Sequence, residues 1–154
     1  MGAKRVKVNG HWMDSKAEAG RYIELLVDQA RGKVMNVIPH PHWDLLAAQE
    51  DEDGDEVAVK IAKYTADFKY NLVDQEAGLY PLIVEDVKGQ VPTKNATTGK
   101  WTRPRGWSEF QMRLRILKAN YGIEVVVVPN TKNYLTKTYE QRHLFQSVLK
   151  GVEL

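Results

Sequence analysis

The chain opens on an alternating stretch, "RVKVNGHWM", centred on Asn9-Gly10. Period-two alternation around Asn-Gly predicts a β-hairpin. The period then changes. In "DSKAEAGRYIELLVDQARG" apolar residues recur at every third or fourth position, which predicts a helix with Ile23, Leu26, Val27 and Ala30 as its buried stripe. Ser15 and Glu18 have capping-box spacing at its start, and Gly32 suits its end. Short extended pieces follow. "HWDLLAA" is expected as a strand, the acidic "QEDEDGDE" as a turn, and "VAVKIAKYTADFKYNLV" as the partner strand. In the second half of that strand Tyr64, Ala66, Phe68 and Tyr70 share one face, and Thr65, Asp67, Lys69 and Asn71 the other.

After "QEAG" the pattern predicts a third strand, "LYPLIVEDVKG", with Pro81 near its start where a proline is tolerated. Residues 89–106, "GQVPTKNATTGKWTRPRG", have no hydrophobic period and read as a long loop. A second helix, "SEFQMRLRILKANYG", is expected to be capped by Ser108 with Gln111 at the box position, stapled by Trp107 onto Met112, and ended by Gly122. Phe110, Leu114, Leu117 and Tyr121 form its apolar side; Gln111, Arg115 and Lys118 lie on another. "IEVVVVP", apolar almost throughout, predicts a strand covered on both faces, and a last helix runs from about Thr138 to Lys150. No internal repeat and no second domain is visible, so residues 1–154 are expected as a single domain. The fold class is α/β: a mixed β-sheet flanked by helices, in the order hairpin, helix, three strands, helix, strand, helix.

Composition narrows the chemistry. With no cysteine, a disulfide framework, a thiolate metal site and a cysteine nucleophile are all excluded. No apolar run approaches the roughly 18 residues of a membrane span, and the start lacks a signal-peptide core, so a soluble cytoplasmic protein without a membrane partner is expected. The net charge of +2 conceals a division. Seven acidic residues and no basic one lie between Asp44 and Glu56; between Val87 and Tyr121 eight basic residues face Glu109 alone. The second stretch favours a polyanion, although a solvated loop and helix face would show the same composition.

The candidate chemistry sits where charge enters an apolar strand. In "LIVEDVKG" a regular strand puts Asp86 and Lys88 on one face and Glu85 on the other; a bulge would exchange the two carboxylates. Asp67 lies on the preceding strand, so two carboxylates can converge on one hard cation, Mg²⁺ or Mn²⁺, with the backbone carbonyl of Val87 as a third ligand. Lys88 beside them suits phosphodiester hydrolysis, since cation and ammonium together offset charge on a phosphoryl group. Taken alone, Asp-x-Lys is a chance motif that more often marks a surface ion pair.

As an ordered set, Glu18 in "DSKAEAGRY", Asp67 in "YTADFKY" and Asp86-Val87-Lys88 in "VEDVKG" resemble the PD-(D/E)XK nuclease superfamily, and more narrowly the small phage-encoded endonucleases related to Holliday-junction resolvases. The resemblance spans about Val6 to Val128 and implies a restriction-endonuclease-like core of helix, three strands, helix and strand, with an N-terminal hairpin and a C-terminal helix in addition. It implies Asp67 and Asp86 as metal carboxylates, Lys88 as the catalytic lysine and Glu18 as a further metal or water ligand. Ala66 replaces the proline of the superfamily name, and Asp86 stands where glutamate is common. Glu18 is equally a helix cap. The activity implied is Mg²⁺-dependent cleavage of DNA, branched or Holliday-junction DNA in phage recombination or replication, by a protein working as a homodimer in the host-cell cytoplasm. A nicking, restriction-like or transposon-end endonuclease, or a non-catalytic DNA-binding phage protein, shares the same features.

For DNA contact the candidates are Lys94, Lys100, Trp101, Arg103 and Arg105 in the long loop, and Gln111, Arg115 and Lys118 on the second helix. Trp101 can equally anchor the loop. His40-Pro41-His42 lacks a third ligand and makes a weak zinc site; structure or a DNA-facing edge explains it better. His143 is expected to be structural. No Ser/His/Asp arrangement and no phosphate-cradling glycine loop is present.

Overall fold

A computed structural model describes residues 5–129; the helix expected from Thr138 to Lys150, and His143 within it, lie outside the described residues. The expected hairpin forms from β1 (Val6–Val8) and β2 (His11–Met13), paired Val6↔Met13 to Val8↔His11. Asn9 and Gly10 both take positive φ, 46° and 81°, the demand of a two-residue turn that Asn-Gly meets at low cost.

Helix α1 (Lys16–Ala30) begins as expected: the Glu18 amide donates to Ser15 Oγ, and Gly32 follows the end at φ 74°. Its buried face only partly matches the expected one: of the expected stripe, Leu26 packs against the core. Ile23 and Val27 are about half exposed, while Glu18, Ala19, Arg21, Tyr22, Leu25 and Asp28 face inward. Three charged residues on the inward face hid the true stripe from a hydrophobicity pattern.

Seven strands, not three, separate the two described helices, and five of them are substantial: β3 (Val34–Pro39), β4 (His42–Glu50), β5 (Glu56–Thr65), β6 (Phe68–Leu72) and β7 (Leu82–Lys88). A short hairpin, β8 (Thr93–Lys94) and β9 (Trp101–Thr102), occupies the stretch expected as unstructured loop. Helix α2 (Trp107–Tyr121) and β10 (Val125–Pro129) complete the described chain.

The main sheet is mixed, in the order β10-β7-β6-β3, with β10 parallel to β7 and the other neighbours antiparallel. Among the described residues β4 and β5 pair only with each other, forming a long arm. The sequence pattern ran β5 and β6 together because alternation stays in phase across Ala66 and Asp67. In the fold the chain leaves the arm there and enters the main sheet.

The four residues expected on one face are all buried but serve two cores. Phe68 and Tyr70 pack with Tyr22, Leu25 and Val34 under α1, whereas Tyr64 and Ala66 pack with Leu45, Val84 and Leu117 under α2. On β7, Ile83 and Val87 join the first core and Val84 the second. Alternation along β7 therefore places the two cores on opposite faces of the sheet. The break at Ala66–Asp67 is the crossing point between them.

Helix α2 starts one residue before its expected cap. Gly106 is the N-cap at φ 78°, with no side-chain cap, and Ser108 lies inside the helix. Trp107 is buried and packs against Phe110, 5.3 Å between ring centres, while Met112 is exposed, so the expected staple is absent. Gly122 ends the helix as expected.

Candidate active site

At the crossing point the backbone is tied from three directions. The Asp67 amide donates to the Glu85 carbonyl at 3.0 Å, the Asp67 carbonyl accepts from His40 N at 2.8 Å, and Ala66 N donates to Pro41 O at 2.9 Å. This knits the ends of β3, β4, β5 and β7 into one rim. Asp67 sits just outside β6, and the amide of Val87 donates to its Oδ2 at 2.5 Å. The Val87 peptide thus meets Asp67 through its N–H.

The two acids of "VEDVKG" part as a regular strand requires. Glu85 turns to the α1 face, where Arg21 grips it through Nε (2.8 Å) and Nη2 (2.6 Å) and Tyr70 OH donates to it at 2.5 Å. Asp86 turns to the α2 face. Its Oδ2 accepts from Tyr64 OH at 2.6 Å, and its Oδ1 lies 3.0 Å from Lys88 Nζ. Lys88 also lies 4.1 Å from the centre of the Phe110 ring, a cation–π contact. Burial, then the charge of Asp86 and the hydrogen bond to it, hold the Tyr64 phenol far above its ordinary range, so it stays a donor.

Glu18 approaches from the start of α1. Its Oε2 accepts from the Asp14 amide at 2.9 Å, so the box closes on the residue before Ser15. Its Oε1 lies 2.6 Å from His40 Nε2. The histidine that suggested a weak zinc site is instead the partner of Glu18, held in a left-handed backbone conformation at φ 53°.

These carboxyl groups act on one another. The Asp67 carboxyl is pushed up to about 8, first by burial, then by the charges of Asp86 and Glu18, with the Val87 amide and Lys88 opposing. Glu18 from one face of the sheet and Asp86 from the other therefore both bear on Asp67 at the rim. Among the described residues no group of three or more His, Cys, Asp and Glu side chains stands ready to enclose a metal ion. A Mg²⁺-like cation binds through one or two carboxylates and keeps much of its water, so a two-carboxylate site does not require such a group. Mutual repulsion between buried carboxylates is what such a cation relieves.

A pH dependence follows from Asp67. Its carboxyl rises from an ordinary 3.8 to about 8, so the folded protein retains a proton that the unfolded chain releases in that interval. The stability this contributes is complete below pH 3.8 and is lost as pH rises through about 8. Metal-free protein is expected to unfold at progressively lower urea concentration over that range, by at most about 1.4 kcal/mol per pH unit. Asp67→Asn should flatten the profile; an unchanged slope in urea melts of that variant would refute the assignment.

The expected DNA contacts are distributed unevenly. Lys94 and Trp101 face each other on the β8–β9 hairpin, Lys94 Nζ 6.0 Å from the ring, and Lys100, Arg103 and Arg105 are exposed around it. On α2, Gln111 is half-buried, Arg115 is exposed, and Lys118 is 2.6 Å from Glu124. None of these lines the cleft of about 320 Å³ beside Asp86 and Lys88. Besides Asp86 and Lys88, that cleft is lined by Tyr64, Lys63 and Arg113 among others, none of which the sequence marked as a site residue. The two-residue spacing from Arg113 to Arg115 turns a side chain well round the helix, and only the packing of Leu117 and Phe110 fixes which face looks at the site. Tyr64 was read only as a core aromatic.

No helix of the described residues is long and apolar enough to cross a membrane. A family model described as "Protein of unknown function (DUF1064)" matches residues 1–122. No curated protein and no solved structure matches the chain.

Proposed function

We propose that this chain, which belongs to the DUF1064 family, is a metal-dependent DNA endonuclease of the PD-(D/E)XK type that cuts branched DNA. The observation behind this reading is the rim itself: Asp67 accepts from the amide of Val87, the residue between Asp86 and Lys88, and Lys88 stands 3.0 Å from Asp86. The order of elements agrees with it. Helix α1, the antiparallel β3, β6 and β7, helix α2, and then β10 parallel to β7, with the β4–β5 arm and the β8–β9 hairpin inserted among them, support a reading as a restriction-endonuclease-like core.

Asp67 and Asp86 would hold the cation, with Glu18 and the Val87 carbonyl as further oxygen donors. When bound, the cation supplies Lewis acidity toward a phosphoryl oxygen and favours ionisation of water. The chain's own groups do the rest. Tyr64 fixes the orientation of Asp86, His40 and the Asp14 amide fix that of Glu18, and Lys88 brings positive charge to the phosphoryl group as its negative charge builds. Phosphate contacts from the basic β8–β9 hairpin would position DNA without reading bases.

A second reading is favoured by one detail. Both oxygens of Asp86 and both of Glu18 already have partners within the protein, as carboxylates with a structural role would. A non-catalytic DNA-binding protein on this fold would look the same.

A panel of labelled four-way junction, linear duplex and single strand, incubated with Mg²⁺ or with EDTA, separates these readings. Mg²⁺-dependent cutting confined to the junction is the expected result. Equal cutting of duplex would point to a nicking or restriction-like enzyme. Binding that needs no metal and gives no cut would establish the second reading.

A further inference from the structure

The cleft beside Asp86 holds two cations that the proposed chemistry leaves without a task. Lys63, near the end of β5, and Arg113, in the second turn of α2, both line it. Among the described residues neither forms an ion pair. For Lys63 a partner is at hand, because Asp44 lies directly across the β4–β5 ladder. That carboxylate is taken by Lys60 at 3.1 Å instead. Glu109, one helical turn before Arg113, lines the same cleft yet makes no ion pair with it. Lys88 differs from both, being committed to Asp86 and the Phe110 ring.

Two uncommitted cations from separate elements thus flank an opening whose wall is the carboxylate expected to hold the cation. Its volume of about 320 Å³ lies at the small end of ligand sites. That suits one sugar–phosphate unit better than a large cofactor. An ammonium acts on phosphate as a point charge and a guanidinium as a two-pronged donor, so the pair would fix both the position and the orientation of a phosphate.

We infer that this cleft is a phosphate subsite: Lys63 and Arg113 grip the DNA backbone phosphate neighbouring the one that is hydrolysed, and so set the register of the cut. The identity of the anion rests on the nuclease reading; the anion site itself does not. The β8–β9 hairpin would supply general attraction to DNA, whereas Lys63 and Arg113 would place one strand against Asp86.

The test measures binding and cutting separately. Affinity of the full chain for a fluorescent four-way junction is followed by anisotropy in EDTA, between 50 and 200 mM NaCl. The parent is compared with Lys63→Ala, Arg113→Ala and Lys33→Ala; Lys33 is exposed beside the end of β3 remote from Asp67. Each subsite variant is expected to bind roughly three- to ten-fold more weakly and to lower the slope of log affinity against log salt by about 0.9, the signature of one lost phosphate contact. Lys33→Ala should match the parent. Parent-like slopes in both subsite variants would overturn the subsite even if the parent cuts DNA with Mg²⁺. Reduced slopes in a protein that never cuts would uphold the subsite and sink the nuclease reading. Absence of any DNA binding by the parent would sink both.

Discussion

Asp86→Ala is expected to slow Mg²⁺-dependent DNA cleavage by at least about a thousand-fold, and Lys88→Ala by about a hundred-fold. A single preorganised group that stabilises developing charge is commonly worth two to three orders of magnitude, about 3–4 kcal/mol. In the proposed reaction Asp86 would carry more than one such duty, as cation ligand and as the anchor of Lys88. Loss of activity must be distinguished from loss of fold. Removing the carboxylate leaves the buried Tyr64 hydroxyl without its 2.6 Å acceptor, at a cost of about 1–3 kcal/mol. Asp86→Asn keeps an acceptor for Tyr64 and should melt near the parent while remaining inactive. Rates would be taken from single-turnover cleavage of the four-way junction, alongside thermal melts of each variant. If Asp86→Ala and Lys88→Ala cut as fast as the parent, the reacting centre lies elsewhere.

What the sequence revealed and what it hid have separate physical causes. Most local signals held: Asn9-Gly10 made its hairpin, Ser15 its cap, Gly32 and Gly122 their helix ends, whereas the Ser108 cap and the Trp107–Met112 staple did not form. The period of two in "LIVEDVKG" correctly parted Glu85 from Asp86. Tertiary choices were not local. β3 was missed because "VMNVIP" carries a register shift with Asn36 at φ 56°, which destroys alternation. β5 and β6 merged because the chain changes sheets without changing phase. The partners of the site residues, Tyr64 and His40, and the cleft residues Lys63 and Arg113, meet it only through that sheet change and the packing of α2. No spacing along the chain encodes them.

The same limits explain the helix stripe, and they lead to the largest expected effect on stability. Arg21 and Glu85 are 0% and 2% exposed, and join α1 to β7 through two short contacts. A pair taken this far from water adds little net stability, but either partner left alone is a buried charge without compensation. Arg21→Met and Glu85→Met are each expected to cost about 3–5 kcal/mol. That is a large share of the roughly 5–15 kcal/mol that holds a domain together. The double variant should cost less than either alone, despite the loss of an acceptor for Tyr70 and of the 3.2 Å contact from Arg21 to Glu24. Urea melts of the four proteins measure this directly; a double variant as damaged as the sum of the singles would show that packing, not charge pairing, holds α1 to the sheet. The pair also bears on the chemistry. By fixing Glu85 on the α1 face it leaves Asp86 as the carboxylate facing Tyr64, Lys88 and the cleft. Glu85→Met should therefore lower cleavage even at temperatures where the variant remains folded, through Asp86 orientation and without touching substrate.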